Sequence, residues 1–112
     1  MNCETLKLVR VTLFVENLEA QTAFYGETLK LPAIDIRAGW SEFGDGDVTI
    51  ALHHGKGRKP RLEFVTAGSL EDSRTYLNAQ GARLNPIKEL RGKPILMGKD
   101  RDGNNIQISE QP

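Results

Sequence analysis

Apolar and polar residues alternate along Leu8-Val9-Arg10-Val11-Thr12-Leu13-Phe14-Val15, the two-residue period of a β-strand. Successive side chains of a strand point to opposite faces, so Val9, Val11, Leu13 and Val15 line one side and Arg10, Thr12 and Phe14 the other. After Glu16-Asn17 the period lengthens. Leu18, Thr22, Tyr25 and Leu29 fall on one helical stripe, which predicts a helix from Leu18 to about Leu29 capped by Asn17. Extended runs follow at Ala33 to Ala38, Trp40 to Phe43 and Val48 to His53. The plan then repeats. Arg61-Leu62-Glu63-Phe64-Val65-Thr66 reads as a strand that passes through Gly68-Ser69 into a second helix. Ser69 is its cap, Asp72 completes a pair resembling a capping box, Leu70 and Leu77 face inward, and Gly81 ends it. Extended runs at Ala82 to Leu90, Pro94 to Gly98 and Asn105 to Ser109 close the second copy, with Gly44-Asp45-Gly46-Asp47 and Asp102-Gly103-Asn104 as the tightest hairpin turns.

Each copy is therefore β-α-β-β-β, module 1 at about 5–54 and module 2 at about 60–110, and the fold class is α+β. Arg61 stands 51 residues after Arg10, so two such units account for nearly the whole chain. Each should form a sheet with a helix on its outer face and an opposite face that can line a cavity. At 112 residues there is room for one domain and no second.

Charge narrows the partners. Fifteen basic and fifteen acidic residues balance, so no net field favours nucleic acid or an anionic membrane. The one basic cluster, Lys56, Arg58, Lys59 and Arg61, lies in a Gly-rich stretch between the copies and reads as a solvated linker, or as a contact for an anionic ligand. Gly55 and Gly57 do not form a phosphate loop. No run approaches the roughly 20 apolar residues that span a bilayer, and Met1-Asn2-Cys3-Glu4 has no signal-like apolar core, so a cytoplasmic protein is expected. The lone Cys3 cannot form an internal disulfide and has no neighbouring base.

The order of Val11-Thr12-Leu13-Phe14-Val15-Glu16-Asn17-Leu18, Phe24-Tyr25, Gly81-Ala82 and Asp100-Arg101-Asp102-Gly103-Asn104 resembles the vicinal oxygen chelate superfamily. That superfamily includes glyoxalase I, extradiol dioxygenases, fosfomycin-modifying enzymes and bleomycin-resistance proteins. The resemblance covers essentially the full chain, with Arg101 where the family usually has Pro. It implies a curved mixed sheet, a bowl, built from both modules with helices outside. In metal-dependent members, His and Glu from the first and last strands of each copy converge on the metal. The matching positions here are Arg10, Ala51, Arg61 and Gln107. Arginine has no lone pair to give, alanine has no donor atom, and one glutamine amide is a poor anchor. A catalytic metal needs about three protein ligands, so the resemblance implies a metal-free member without a cofactor. Lactoylglutathione isomerisation, ring cleavage and metal-dependent fosfomycin modification are not expected. Adjacent on a strand, His53 and His54 face opposite ways, with His53 on the cavity side beside Ala51. A replacement metal site from His53, Glu63 and Glu42 would need those side chains to converge.

By the same parity the cavity face shows Arg10, Thr12 and Phe14 from one copy, Arg61, Glu63 and Val65 from the other, and His53 and Gln107. Glu63 should pair with Arg10 or Arg61, because a buried charge demands a partner. The other arginine would then be left for a ligand carboxylate, phosphate or enolate. Trp40, the only tryptophan, is either an aromatic wall of a pocket or ordinary core or dimer packing. The expected function is a metal-independent, homodimeric protein binding an unknown small molecule, anionic or aromatic in character, and sequestering a drug or metabolite. Bleomycin itself is cationic and suits an acidic groove, unlike a face carrying Arg10 and Arg61. The alternative is a metal-independent isomerase or lyase in which Glu63 or His53 is the general base beside an arginine.

Overall fold

The strand pattern of the first copy is realised as β1 (Lys7–Val15), a helix α1 (Leu18–Ala23), β2 (Ala33–Arg37), β3 (Trp40–Phe43) and β4 (Thr49–His54). The structure is a computed structural model that describes residues 5–112; the expectations for Cys3 and its neighbours lie outside the described residues. The second copy follows as β5 (Arg61–Thr66), α2 (Leu70–Ala79), β6 (Arg83–Leu84), β7 (Lys88–Leu90), β8 (Lys93–Lys99) and β9 (Asn105–Glu110). The α+β class is thus present, with β-α-β-β-β in the first copy and a fourth strand after the helix in the second. The chain groups into two compact units, Val9–Pro60 and Arg61–Pro112 with the residues up to Leu8.

Within the first unit the strand order is β2-β3-β4-β1, antiparallel except for the parallel pair β1 and β4. Asn17 caps α1, its side chain accepting from the Ala20 N–H at 2.9 Å. The helix expected from Leu18 to about Leu29 is present over that span but is α-helical only to Ala23. From Phe24 to Thr28 the coil widens to a π-helical turn, closed by the Leu29 N–H to the Phe24 carbonyl at 2.9 Å. Its physical setting is Gly26, which lies so close to the buried Phe43 ring that an added Cβ would sit 3.1 Å from it. One consequence corrects the predicted stripe: the extra residue per turn rotates Leu29 outward, to 48% exposure. Thr22 nevertheless faces the sheet, its hydroxyl 2.7 Å from that of Ser41.

The second unit has the order β5-β9-β8-β6, with β7 also paired to β8. The single extended run expected over Ala82 to Leu90 is interrupted around Pro86, whose missing N–H cannot serve a ladder. Ser69 caps α2 by accepting the Asp72 N–H at 2.9 Å. Leu70, Leu84, Leu96 and Ile108 form the core, with Leu6, Phe64 and Leu77 packed against it. Phe64 of β5 and Ile106 and Ile108 of β9 therefore share the core face with Leu70 and Leu77 of the helix. Arg61, Glu63, Val65, Gln107 and Ser109 are left on the other face.

Candidate functional site

In the first unit, register assembles the chemistry. The parallel pairing places Arg10, Thr12 and Phe14 opposite Thr49, Ala51 and His53, and the antiparallel pairing adds Glu42 opposite Ala51 and Trp40 opposite His53. All eight share one face. Thr12 and Ala51 are fully buried at its centre. Arg10 Nη1 donates to Glu42 at 3.3 and 3.5 Å, and the Thr49 hydroxyl donates to Glu42 Oε2 at 2.6 Å. The guanidinium groups of Arg10 and Arg37 each lie 5.2 Å from the centre of the Trp40 ring, within cation–π range. His53 meets that ring edge-on at 6.0 Å and Phe14 at 5.7 Å, while Arg58 covers Phe14 at 4.0 Å.

Two polar details stand out. Trp40 is 9% exposed, and its Nε1–H is the one buried side-chain nitrogen or oxygen among the described residues without a hydrogen-bond partner. His53 Nδ1 lies 2.8 Å from the His54 carbonyl oxygen. A carbonyl only accepts, so the proton of the neutral ring belongs on Nδ1 and the lone pair on Nε2.

In the second unit Glu63 is 2% exposed and is bound on both oxygens: Arg61 Nε donates to Oε2 at 3.3 Å and Gln107 Nε2 to Oε1 at 3.2 Å. One step along the same face, the paired residues Val65 and Ser109 enter the wall of a cavity of about 480 Å³. Leu90, Lys93, Pro94 and Ile95 line it too, with residues 110–112, and the wall is mostly apolar.

The structure thus gathers Arg10, Thr12, Phe14, Trp40 and His53 in one unit, and Arg61, Glu63 and Gln107 in the other. It corrects the expectation that one arginine is left over. Arg61 takes Glu63, as one of the two expected pairings had it, but Arg10 has its own carboxylate in Glu42. Among the described residues no group of three or more His, Cys, Asp or Glu side chains could hold a metal ion, so the replacement site considered for His53, Glu63 and Glu42 is not among the groups the structure offers. The linker cluster is more engaged than expected, with Arg58 on Phe14 and Lys56 3.6 Å from Glu16. Glu42 and Arg37 were missed as neighbours of Trp40. Strand parity puts Glu42 on the Trp40 face, but only the β3–β4 register brings it to Arg10.

With the geometry in place, the architecture has a name: this is the vicinal oxygen chelate fold, shared by glyoxalase, bleomycin resistance and extradiol dioxygenase proteins. A superfamily member of that description from Vibrio splendidus 12B01 superposes with a TM-score of 0.75 at 14% identity, covering 96% of this chain and 100% of that one. An extradiol ring-cleaving dioxygenase from B. fuscum gives 0.75 at 16% identity over 97% of this chain and 33% of its own. The methylmalonyl-CoA epimerase of Mycobacterium tuberculosis gives 0.67 at 19% identity, over 94% and 87%. No family model and no curated protein matches the chain. Against the metal that the fold suggests, the donor set is a poor fit. Arg10 and Arg61 are cations paired with carboxylates, Ala51 is a buried methyl group, and the Gln107 amide is oriented by its bond to Glu63. Among the described residues no helix is long and apolar enough to cross a membrane.

Proposed function

We propose that this protein binds a small, flat, anionic molecule, a drug or metabolite, on the Arg10–Trp40–His53 face, without a metal. The observation that carries the reading is the buried Trp40 Nε1–H. An unsatisfied buried donor costs about 1–3 kcal/mol, a cost that an acceptor oxygen on a ligand would remove. The guanidinium groups of Arg10 and Arg37 beside the ring favour that acceptor being a carboxylate or phosphate. The Trp40, His53 and Phe14 rings offer surface for a flat body. Metal independence rests on the chemistry of Arg10, Ala51, Arg61 and Gln107, and a cytoplasmic, homodimeric protein is part of the same proposal.

The test uses the chain's single tryptophan as its reporter. Titration with a panel of aromatic carboxylates and phosphates should change Trp40 fluorescence saturably for at least one compound. By calorimetry, Arg10→Gln and Trp40→Phe should each weaken that compound about ten-fold, the worth of a hydrogen bond to a charged group. No saturable change across the panel refutes the reading.

The tautomer of His53 favours one further reading, a metal-independent isomerase or lyase with His53 Nε2 as general base. Glu63 suits that role less, since both its oxygens are committed to Arg61 and Gln107. Any turnover found with the panel should fall at least about 100-fold in His53→Gln; full activity in that variant eliminates the mechanism.

A further inference from the structure

Across β3, β4 and β1, register sets Trp40 opposite His53 and His53 opposite Phe14, one ring per strand. The three rings form a row across the sheet, with centres 6.0 and 5.7 Å apart. Two strand spacings separate its ends, roughly 10 Å. Guanidinium groups stand at both ends, Arg10 and Arg37 at Trp40 and Arg58 of the linker 4.0 Å from the centre of the Phe14 ring. All of these residues belong to the first unit.

The two ends differ in what they have left to give. Arg10 is bonded to Glu42 and Arg37 to Asp35, whereas among the described residues Arg58 has the Phe14 ring and no carboxylate. A cation–π contact draws on the charge of the guanidinium and uses none of its five N–H donors. Arg58 and His53 are exposed, so an anion reaches that end from solvent. The linker is shaped to hold Arg58 over the ring. The Gly55 N–H donates to the Val15 carbonyl at 2.9 Å, and a Cβ on Gly55 would stand 3.3 Å from the Phe14 side chain. Gly57 then turns the chain with a φ of +70°, a conformation that glycine adopts at no steric cost.

We infer that Arg58 is a second anion-binding residue, and that the ligand is an elongated aromatic molecule with an acidic group at each end, roughly 10 Å apart. This rests on the Trp40 reading above, which gives the first acidic group its place beside Arg10 and the Trp40 Nε1–H. The body of the molecule lies along the row of rings, and the second acidic group meets the N–H fork of Arg58, whose planar geometry matches a carboxylate. Arg58 thereby sets specificity, selecting diacids over monoacids of the same shape.

The experiment is calorimetric titration of the full chain with two probes, biphenyl-para-carboxylate and biphenyl-para,para′-dicarboxylate. The wild type should bind the diacid at least about ten-fold more tightly, the worth of a hydrogen bond to a charged group. Arg58→Gln, checked for folding by a thermal melt, should abolish that preference. Arg10→Gln should weaken both probes and keep the preference, because it acts at the end they share. Lys56→Gln removes the same charge from the same linker, at a side chain directed to Glu16, and should also keep it. Equal binding of the two probes by the wild type overturns the inference while leaving the Trp40 reading in place. So does a preference that survives in Arg58→Gln, or one that Lys56→Gln reduces as much. Binding of neither probe counts against the Trp40 reading and takes this inference with it.

Discussion

Glu63 shows how a single side chain can depend on its neighbours. A carboxylate 2% exposed is tolerated because Arg61 and Gln107 each donate to one of its oxygens. Removing one member of such a pair strands the other charge, at a cost of roughly 3–5 kcal/mol. Arg61 is itself partly exposed, so Arg61→Ala should cost about 3 kcal/mol, the low end of that range, measured by urea unfolding; a loss below about 1 kcal/mol would show that the pair does not hold Glu63. Asp100 is the opposite case, exposed and tuned by hydrogen bonds. The Asn104 side chain, then the Asn104 N–H, hold its carboxyl below the ordinary aspartate value. A pKa lowered on folding means stabilisation that is present above the ordinary value and is lost as pH falls through the lowered one. Asn104→Ala should move the Asp100 midpoint back up in a carbon-13 NMR titration and shrink the stability lost across that acid window. An unmoved midpoint would assign the shift elsewhere.

At the scale of elements, Gly98 marks the closest approach of two strands. A Cβ there would stand 2.3 Å from the Arg83 carbonyl oxygen and 2.6 Å from Leu84 Cα, backbone atoms that cannot swing aside. Gly98→Ala should therefore cost at least about 2 kcal/mol and shift the amide resonances of Arg83 and Leu84; a thermal melt equal to the wild type would contradict the β6–β8 packing. The elements also show what could be read from residue order. Alternation in β1, β5 and β9 has a period of two, a local property, so the faces carrying Arg10, Arg61, Glu63 and Gln107 were legible. So were the caps Asn17 and Ser69, whose bonds reach three residues ahead. The π-helical turn at Phe24–Thr28 was not, because it accompanies contact between Gly26 and Phe43, far apart in sequence. Glu42 as the partner of Arg10 depends on how β3 slides along β4, and no side-chain pattern within either strand states that register.

For the whole molecule, the four positions that the resemblance assigns to metal ligands hold two guanidinium groups, a methyl group and an amide, those of Arg10, Arg61, Ala51 and Gln107. Arg10 with Glu42 and Arg61 with Glu63 form an ion pair in each copy, so positions that the resemblance assigns to metal ligands are spent on internal pairing. Repetition made the two-unit plan readable from sequence, since each unit must bury the same helix-facing side. The proposed site was not readable, because it rests on a few side chains brought together by register. The central claim is binding without metal, and calorimetric titration of the best compound from the fluorescence panel into chelator-treated protein tests it most directly. Equal affinity before and after chelation, and after adding Zn²⁺, Ni²⁺, Mn²⁺ or Fe²⁺, is the expected result. Binding that disappears on chelation and returns with one of those ions would contradict it.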